Sequence, residues 1–301
     1  MKYIYAVDIG GSSIKYGLFD ETGTLMRRWK ETIKDKTVPS VVMKAIASTI
    51  RAQDEVPHAV SVGVPGPVAE DRLVFAPNLG WRDVDVIGWL RAELGNSIVY
   101  ALENDANLAA LGESLHVTST GTVVFFALGT GIGGGIVQAG RIVRGHHGVA
   151  GEFGHMDVGM YDFTCGCGQK GHLETIASAT GLKNVARRLR DQKFPTTLTR
   201  IQSSKQIVEA AKRGDTLSTK AVDEAAKALA KAVRMVALTL NPDAVVFGGG
   251  VAEAGPFLLE RVRAHYAALN TGIVAPISFV QAKHGQNAQL HGAYARVMYD
   301  D

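Results

Sequence analysis

The two cysteines of this 301-residue chain stand one residue apart, in CGCGQKGHLE (165–174). Cys165 and Cys167 make a poor disulfide, because side chains at this spacing point apart or close a strained ring. A thiol redox motif has two residues between its cysteines. Two thiolates in a glycine-bent loop suit one soft cation, and a closed zinc site then needs two more ligands. His155 lies ten residues before Cys165, and His172 five residues after Cys167. A second concentration of chemistry is ALENDANLAA (101–110). Asp105 falls where a strand hands over to a helix, so its carboxylate sits by the positive end of a helix dipole. There it can accept a proton, although Asn104 and Asp105 are also both good helix caps.

Three glycine clusters each follow an apolar strand: DIGGSS (8–13), GTGIGGG (129–135) and GGGVAEAG (248–255). Glycine lets successive backbone N–H groups approach an anion and cradle phosphate oxygens. One such cluster is an ordinary hairpin turn, but three at strand ends point to a nucleotide. Gly129, Gly131 and Gly134 fit G-x-G-x-x-G, yet that fingerprint needs a helix next, and IVQAGRIV (136–143) reads as strand. No G-x-x-x-x-G-K-[ST] occurs. Glycine hairpins that clamp a triphosphate from two domains are the device of the actin-like ATPase fold.

The elements that must position these residues alternate along the chain. KYIYAVDIG, SIKYGLFD and LMRRWKET (2–32) read as three strands joined by glycine turns. SVVMKAIASTIRAQ (40–53) places Val41, Val42, Ala45, Ile46, Thr49 and Ile50 at helical spacing. HAVSVGVPGPV is a strand ending in a Gly-Pro turn, SIVYALEN a strand, and DANLAALGESL the helix after it. TVVFFALGTGIGGGIVQAGRIV (122–143) then repeats the opening hairpin logic. KAVDEAAKALAKAVRMVALTL (220–240) is a long amphipathic helix stopped at Asn241-Pro242, and it feeds the strand AVVFGGG. The expectation is a duplicated α/β architecture with a cleft between its halves. Residues 1–118, completed by a C-terminal helix at 286–301, form a small domain, and residues 119–285 a larger one.

Composition bounds the partners. With 46% hydrophobic and 20% charged residues the chain can build a sizeable core. A net charge of +3, from scattered Lys and Arg, is too mild for a nucleic-acid partner. Two cysteines build no disulfide framework, which fits a cytoplasmic protein. The start, MKYIYAVDIGGSS, reaches Asp and Gly too soon for a signal peptide. The longest apolar run is broken by glycine, so no membrane span is expected.

Together these motifs resemble the ROK family (repressor, open reading frame, kinase) over nearly the whole length. DIGGSSIKYGLFD resembles the family's first phosphate loop, ALGTGIGGGIV its second, and ENDAN its catalytic segment. GEFGHM and CGCGQKGHLE resemble its sugar and zinc segment, and NPDAVVFGGGV its adenosine side. The resemblance implies the actin-like ATPase (ribonuclease H-like) α/β fold and transfer of the γ-phosphate of ATP to a hexose. It makes Asp105 the general base. Asn78 and Gly66, the latter letting a hydroxyl approach the backbone, are candidate sugar contacts, and the resemblance adds Asn104, Asp105, Glu152, His155 and Glu174. Read plainly, Asn78 caps a turn and Glu152 is a surface carboxylate in a loop. Asp8, Gly10, Gly11, Ser12, Ser13, Lys15, Thr130, Gly131, Gly249 and Gly250 would surround ATP. Asp8 would orient the waters of Mg²⁺, though it is also a plain turn residue before Gly10. Lys15 is either near the phosphates or on a solvated strand face. Trp81 either stacks on the sugar or packs in the core, with core the expected place.

The family's zinc pattern is a His followed by C-x-C-G-x-x-G-C-x-E. Cys165, Gly166, Cys167, Gly168, Gly171 and Glu174 match, and His172 replaces the third cysteine. Histidine is a sound zinc ligand, so the implied site is structural Zn²⁺ on His155, Cys165, Cys167 and His172. The adjacent His146 and His147 read as a polar loop. NLGWRDV (78–84) resembles the glucokinase branch and favours the 6-hydroxyl of glucose. GEFGHM with CGCGQKG also resembles the N-acetylglucosamine kinases, so an N-acetylglucosamine or N-acetylmannosamine kinase is the alternative. A sugar-sensing ROK regulator is the rival from another class. Such regulators carry a helix-turn-helix before the first phosphate loop, and here Asp8 comes too early for one. The resemblance also implies a homodimer or a dimer of dimers.

Overall fold

The computed structural model describes residues 1–32, 35–270, 272–273 and 275–299. Contacts divide the chain into two units: Met1–Thr120 with Gly135–Ala150 and Gln286–Asp301, and Gly121–Gly134 with Gly151–Gly285.

The first unit opens with β1 (Tyr3–Ile9), β2 (Ile14–Phe19) and β3 (Leu25–Glu31), followed by α1 (Pro39–Arg51) and β4 (Pro57–Val64). A small antiparallel sheet follows, β5 (Val68–Ala69), β6 (Arg72–Ala76) and β7 (Trp81–Val84), which sequence reasoning did not foresee. Then come α2 (Val86–Leu94), β8 (Val99–Asn104) and α3 (Asp105–Ser114). The main sheet runs β3-β2-β1-β4-β8; β1 to β3 pair antiparallel, whereas β1, β4 and β8 are parallel.

The inner face of α1 differs from the periodic reading. Val42, Met43, Ile46, Ala47 and Ile50 are buried, while Val41 is 44% exposed. The stripe takes Met43 and Ala47 as its flank because the opposite flank is polar: the Thr49 hydroxyl donates to Glu31 at 2.9 Å. Trp81 lies in the core, and its indole N–H donates to Lys36 O at 2.7 Å.

In the second half of the chain, β9 (Thr122–Leu128), β10 (Ile132–Gln138) and β11 (Arg141–Ile142) are followed by α4 (Glu174–Ala177), α5 (Ala179–Asp191) and α6 (Ser204–Lys212). Then come α7 (Thr216–Leu240), β12 (Ala244–Gly248), α8 (Pro256–Leu269), β13 (Ser278–Gln281) and α9 (Ala288–Met298). The second sheet runs β11-β10-β9-β12-β13, with β9, β12 and β13 parallel. Numbered within each half, both sheets have the order 3-2-1-4-5, so the duplication extends to topology. The long helix α7 ends where Asn241 takes a left-handed φ of 44°, a cap conformation that asparagine tolerates, and Pro242 cannot continue the helix.

Sequence reading grouped residues 135–150 with 119–285, but the contacts place Gly135–Ala150 in the first unit. The local reason is Gly135, where a Cβ would stand 2.7 Å from the Ala110 side chain on α3. The helix expected at 286–301 is α9, and it belongs to the first unit. Residues 300 and 301 of that range lie outside the described residues.

Candidate active site and metal centre

Each unit carries its own set of candidate side chains. In the first, β1 ends on Asp8, which is buried at 4% exposure. The hairpin to β2 closes with Gly10 N–H donating to Ser13 O at 2.9 Å. Lys15 is the ladder partner of Asp8, and its Nζ meets Asp8 Oδ2 at 2.9 Å. Lys15 is therefore the counter-charge of Asp8 rather than a solvated surface lysine. Ser12 and Gly11 are exposed at the hairpin tip, and Ser13 is buried.

At ENDAN the helix cap falls to Asn104. Its Oδ1 accepts from Ala106 N at 2.9 Å and Asn107 N at 3.1 Å. The Asn104 Nδ2 donates to Gly66 O at 3.2 Å. Asp105, the first helical residue, accepts one further bond from Ala106 N, at 2.8 Å. Burial pushes its carboxyl up to about 7, and the charge of Asp8 adds to the rise while Lys15 opposes it. The arrangement is a carboxyl that titrates near neutrality beside an Asp–Lys pair. Gly66 has a packing reason to be glycine, since a side chain there would run into the Phe75 carbonyl on β6. Asn78 is exposed in the turn between β6 and β7.

Sequence reasoning missed Glu103 and Arg144. Glu103 is 1% exposed. Its Oε1 accepts from Asn104 N and from Asn107 Nδ2, both at 2.9 Å. Its Oε2 meets Arg144 Nε at 2.6 Å. The available signal was an acid at the end of the otherwise apolar strand SIVYALEN.

In the second unit the turn Gly129–Gly131 closes with Gly129 N–H donating to Gly131 O at 3.0 Å. β10 follows directly, so the strand-turn-strand reading holds and no helix follows the glycines. The Gly249–Gly250 turn joins the same place: Val251 N donates to Leu128 O at 3.0 Å, at the end of β9. Gly249 has a φ of 85°, and its Cβ would stand 2.6 Å from Leu128 O. The parallel pairing of β9 and β12 thus brings these two turns together at the carboxyl ends of both strands.

Next to them is the Cys/His quartet. His155, in a 3₁₀ turn at Phe153–His155, meets Cys165, Cys167 and His172, with all four ligand atoms within 4.8 Å of one another. His155 Nδ1 and His172 Nδ1 are 3.3 Å apart. Cys165 Sγ lies 3.7 Å from His155 Nδ1, and Cys167 Sγ 3.4 Å from His172 Nδ1. A tetrahedron with Zn–N of about 2.05 Å and Zn–S of about 2.3 Å has edges near 3.3 Å between nitrogens and about 3.6 Å from nitrogen to sulfur. The His155–His172, Cys165–His155 and Cys167–His172 separations match those edges. Cys165 and Cys167 are free thiols, so the rejection of a disulfide stands. Gly171, with a φ of 79°, turns the chain into His172 where a Cβ would meet Asp157 Oδ1 at 2.8 Å.

Glu174 ties this loop to the Gly129–Gly131 turn. Its Oε1 accepts from Cys165 Sγ at 2.8 Å, and its Oε2 from Ile132 N at 3.4 Å. Gly131 leaves the room, since a Cβ there would stand 2.5 Å from Glu174 Oε2. The segment after Glu174 continues the support: Ala179 N donates to Gly129 O at 2.8 Å, and Thr180 N to Thr130 O at 3.4 Å. Glu152 is exposed just before the His155 turn. His146 and His147 pack edge to face in an exposed loop, as expected. Among the described residues no helix is long and apolar enough to cross a membrane.

The ROK family profile matches residues 4–299. A glucokinase of Streptomyces coelicolor is 33% identical over 95% of this chain and 95% of its own. An N-acetyl-D-glucosamine kinase of Salmonella typhimurium is 30% identical over 96% and 97%. The crystal structure of a ROK family glucokinase from Streptomyces griseus, in complex with glucose and AMPPNP, superposes with a TM-score of 0.79 at 28% identity, covering 99% of this chain and 100% of that one.

Proposed function

The chain belongs to the ROK family, and from that premise we propose that this sugar kinase is a glucokinase, moving the γ-phosphoryl group of ATP to the 6-hydroxyl of glucose. The observation that carries the chemistry is Asp105, a half-buried carboxyl raised to about 7 beside the Asp8–Lys15 pair. A sugar hydroxyl is a poor nucleophile until its proton has somewhere to go, and an acceptor titrating near the working pH is suited to that task. Asp105 takes the proton as the hydroxyl attacks the γ-phosphorus. Asn104 holds the start of α3, so the acceptor oxygen keeps its direction.

The rest of the rate comes from positioning and charge stabilisation. The turns at 10–13, 129–131 and 249–250 offer backbone N–H groups to the phosphates, with Ser12, Ser13 and Thr130 adding hydroxyls. Magnesium, when bound with ATP, neutralises phosphate charge, and Asp8 would hold its water shell. The proposed sugar contacts are Gly66, Asn78, Asn104, Asp105, Glu152, His155 and Glu174. Zinc would be held by His155, Cys165, Cys167 and His172 and would act structurally. Both histidines turn Nδ1 toward the quartet, which leaves Nε2 of His155 for a hydroxyl.

Glucose is favoured by the Asn78-Leu79-Gly80-Trp81 segment and by the glucokinases among the relatives. The relative that phosphorylates N-acetyl-D-glucosamine supports an N-acetylhexosamine as the second reading. A coupled assay across glucose, mannose, fructose, N-acetylglucosamine and N-acetylmannosamine decides between them. Glucose should give the highest kcat/KM; an N-acetylhexosamine ahead by about tenfold, a margin one substituent pocket can produce, overturns the reading. The family resemblance also supports cytoplasmic work as a homodimer or dimer of dimers, which sedimentation velocity reads directly.

A further inference from the structure

The ion pair between Glu103 and Arg144 has no part in the chemistry above, yet it adjoins the base. Glu103 is the residue before the cap and two before Asp105. Buried at 1% exposure, it spends one oxygen on the first turn of α3, through Asn104 N and Asn107 Nδ2, and the other on Arg144. Arg144 comes from the segment after β11, and its loop is closed by Ala150 N donating to Arg144 O at 3.0 Å. The same stretch of chain passes α3 again at Gly135, where a Cβ would stand 2.7 Å from the Ala110 side chain and 3.1 Å from Asn107 Oδ1. So the base-bearing end of α3 is gripped from one side by segment 135–150 at two points, and the polar one ends on Glu103.

We propose that Glu103 and Arg144 are positioning residues for phosphoryl transfer: a buried tether that fixes the first turn of α3, and with it the direction of Asp105, to the 135–150 segment. A cap alone does not do this. Asn104 satisfies the N–H groups of the helix end but moves with that end. The Glu103 bridge refers the helix end to a separate piece of chain, and a buried charge-assisted bond is stiff as well as strong. Displacement of a reacting group by about an ångström is worth on the order of a hundredfold in rate, so a tether of this kind acts on kcat without touching either substrate.

Charge balance and tethering are separable by substitution, and the test uses that. Arg144→Met leaves the Glu103 carboxylate buried without its counter-charge, so both melting temperature and kcat should fall. Adding Glu103→Gln removes the stranded charge, and the double variant should recover melting temperature. It has no bond across to residue 144, so kcat should stay about ten- to a hundredfold low, with both KM values within about threefold of the parent. Arg144→Lys keeps a cation in reach of Glu103, should fold, and should regain most of the lost kcat. A purely structural pair gives another pattern: kcat per folded molecule returns with melting temperature in the double variant. That result overturns the proposal, as does a folded Arg144→Met or double variant with parental kcat. The inference rests on Asp105 as base, so Asp105→Asn is assayed alongside. An active Asp105→Asn overturns the base and the tether together, whereas an inactive one beside fully active Arg144 variants overturns the tether alone.

Discussion

At the scale of single residues, Asp105 carries two opposed demands. Its carboxyl titrates near 7 because burial and Asp8 both disfavour the charged form. The unfolded chain ionises the same group near its ordinary value of 3.8. The folded state therefore binds the proton more tightly, and the stability this gives is full below about pH 4 and lost as pH rises through about 7. Asp105→Asn removes that loss. The variant should melt higher than the parent at pH 8, with the difference closing as pH falls toward 4 in paired thermal melts. Its turnover should drop about 10²- to 10⁴-fold, the usual worth of a general base, while glucose binding by calorimetry stays close to parental. A folded variant with near-normal turnover removes Asp105 from the mechanism. In the parent, kcat/KM should fall away below about pH 7, since the base must be ionised in the free enzyme.

At the scale of elements, the loop from His155 to Thr180 is one mechanical unit with two clients. Its first part gathers the quartet, and Glu174 to Thr180 hold the Gly129–Gly131 turn through Ile132, Gly129 and Thr130. The parent should hold about one zinc per chain. His172→Cys should keep it, whereas His172→Ala should lose it and weaken nucleotide as well as sugar. Full zinc and unchanged affinities in His172→Ala would mean the site closes through another group. Gly131→Ala tests the other side. Its new methyl meets the flexible carboxylate end of Glu174 rather than backbone, so the fold should survive with its melting temperature nearly unchanged. Glu174 must swing away from Ile132, and kcat/KM should fall about tenfold, roughly the worth of one charged hydrogen bond. Parental kcat/KM would show that Glu174 has no fixed place to keep.

What was legible in the sequence at this scale was what local chemistry announces. Strand-end glycines, a C-x-C between histidines and an Asn-Asp pair at a helix start each specify a geometry by themselves. The sheet β5-β6-β7 went unseen because its strands are two, five and four residues long and carry no long alternation. The Glu103–Arg144 bridge was hidden because its partners are 41 positions apart and neither carries a motif. Lys15 was ambiguous from sequence for a related reason: only strand register sets it opposite Asp8.

At the scale of the whole molecule, the assignment of α9 to the first unit closes the chain back on its own beginning. Leu290, Ala293 and Tyr294 share a buried cluster with Ile4, Ala6, Phe19, Ala59 and Leu108. Tyr294 stacks on Phe19 at 5.1 Å between ring centroids. Helices α3 and α9 cross through glycines: a side chain at Gly112 would run into Ala288 O, and one at Gly292 into Leu108 O. The crossing helix α3 is the one that begins with Asp105, so α9 supports the helix that carries the proposed base. A chain stopped after Gly285 uncovers Leu108, Phe19 and Ile4, each such side chain being worth about 1.5–3 kcal/mol when buried. It should lose turnover, and the first unit should fail to melt cooperatively by circular dichroism. Gly292→Val makes the same point with one residue. Its branched side chain meets backbone on α3, which cannot yield as a side chain can, so melting temperature and kcat should fall together. Full activity in either protein would mean that α3 holds its place without α9.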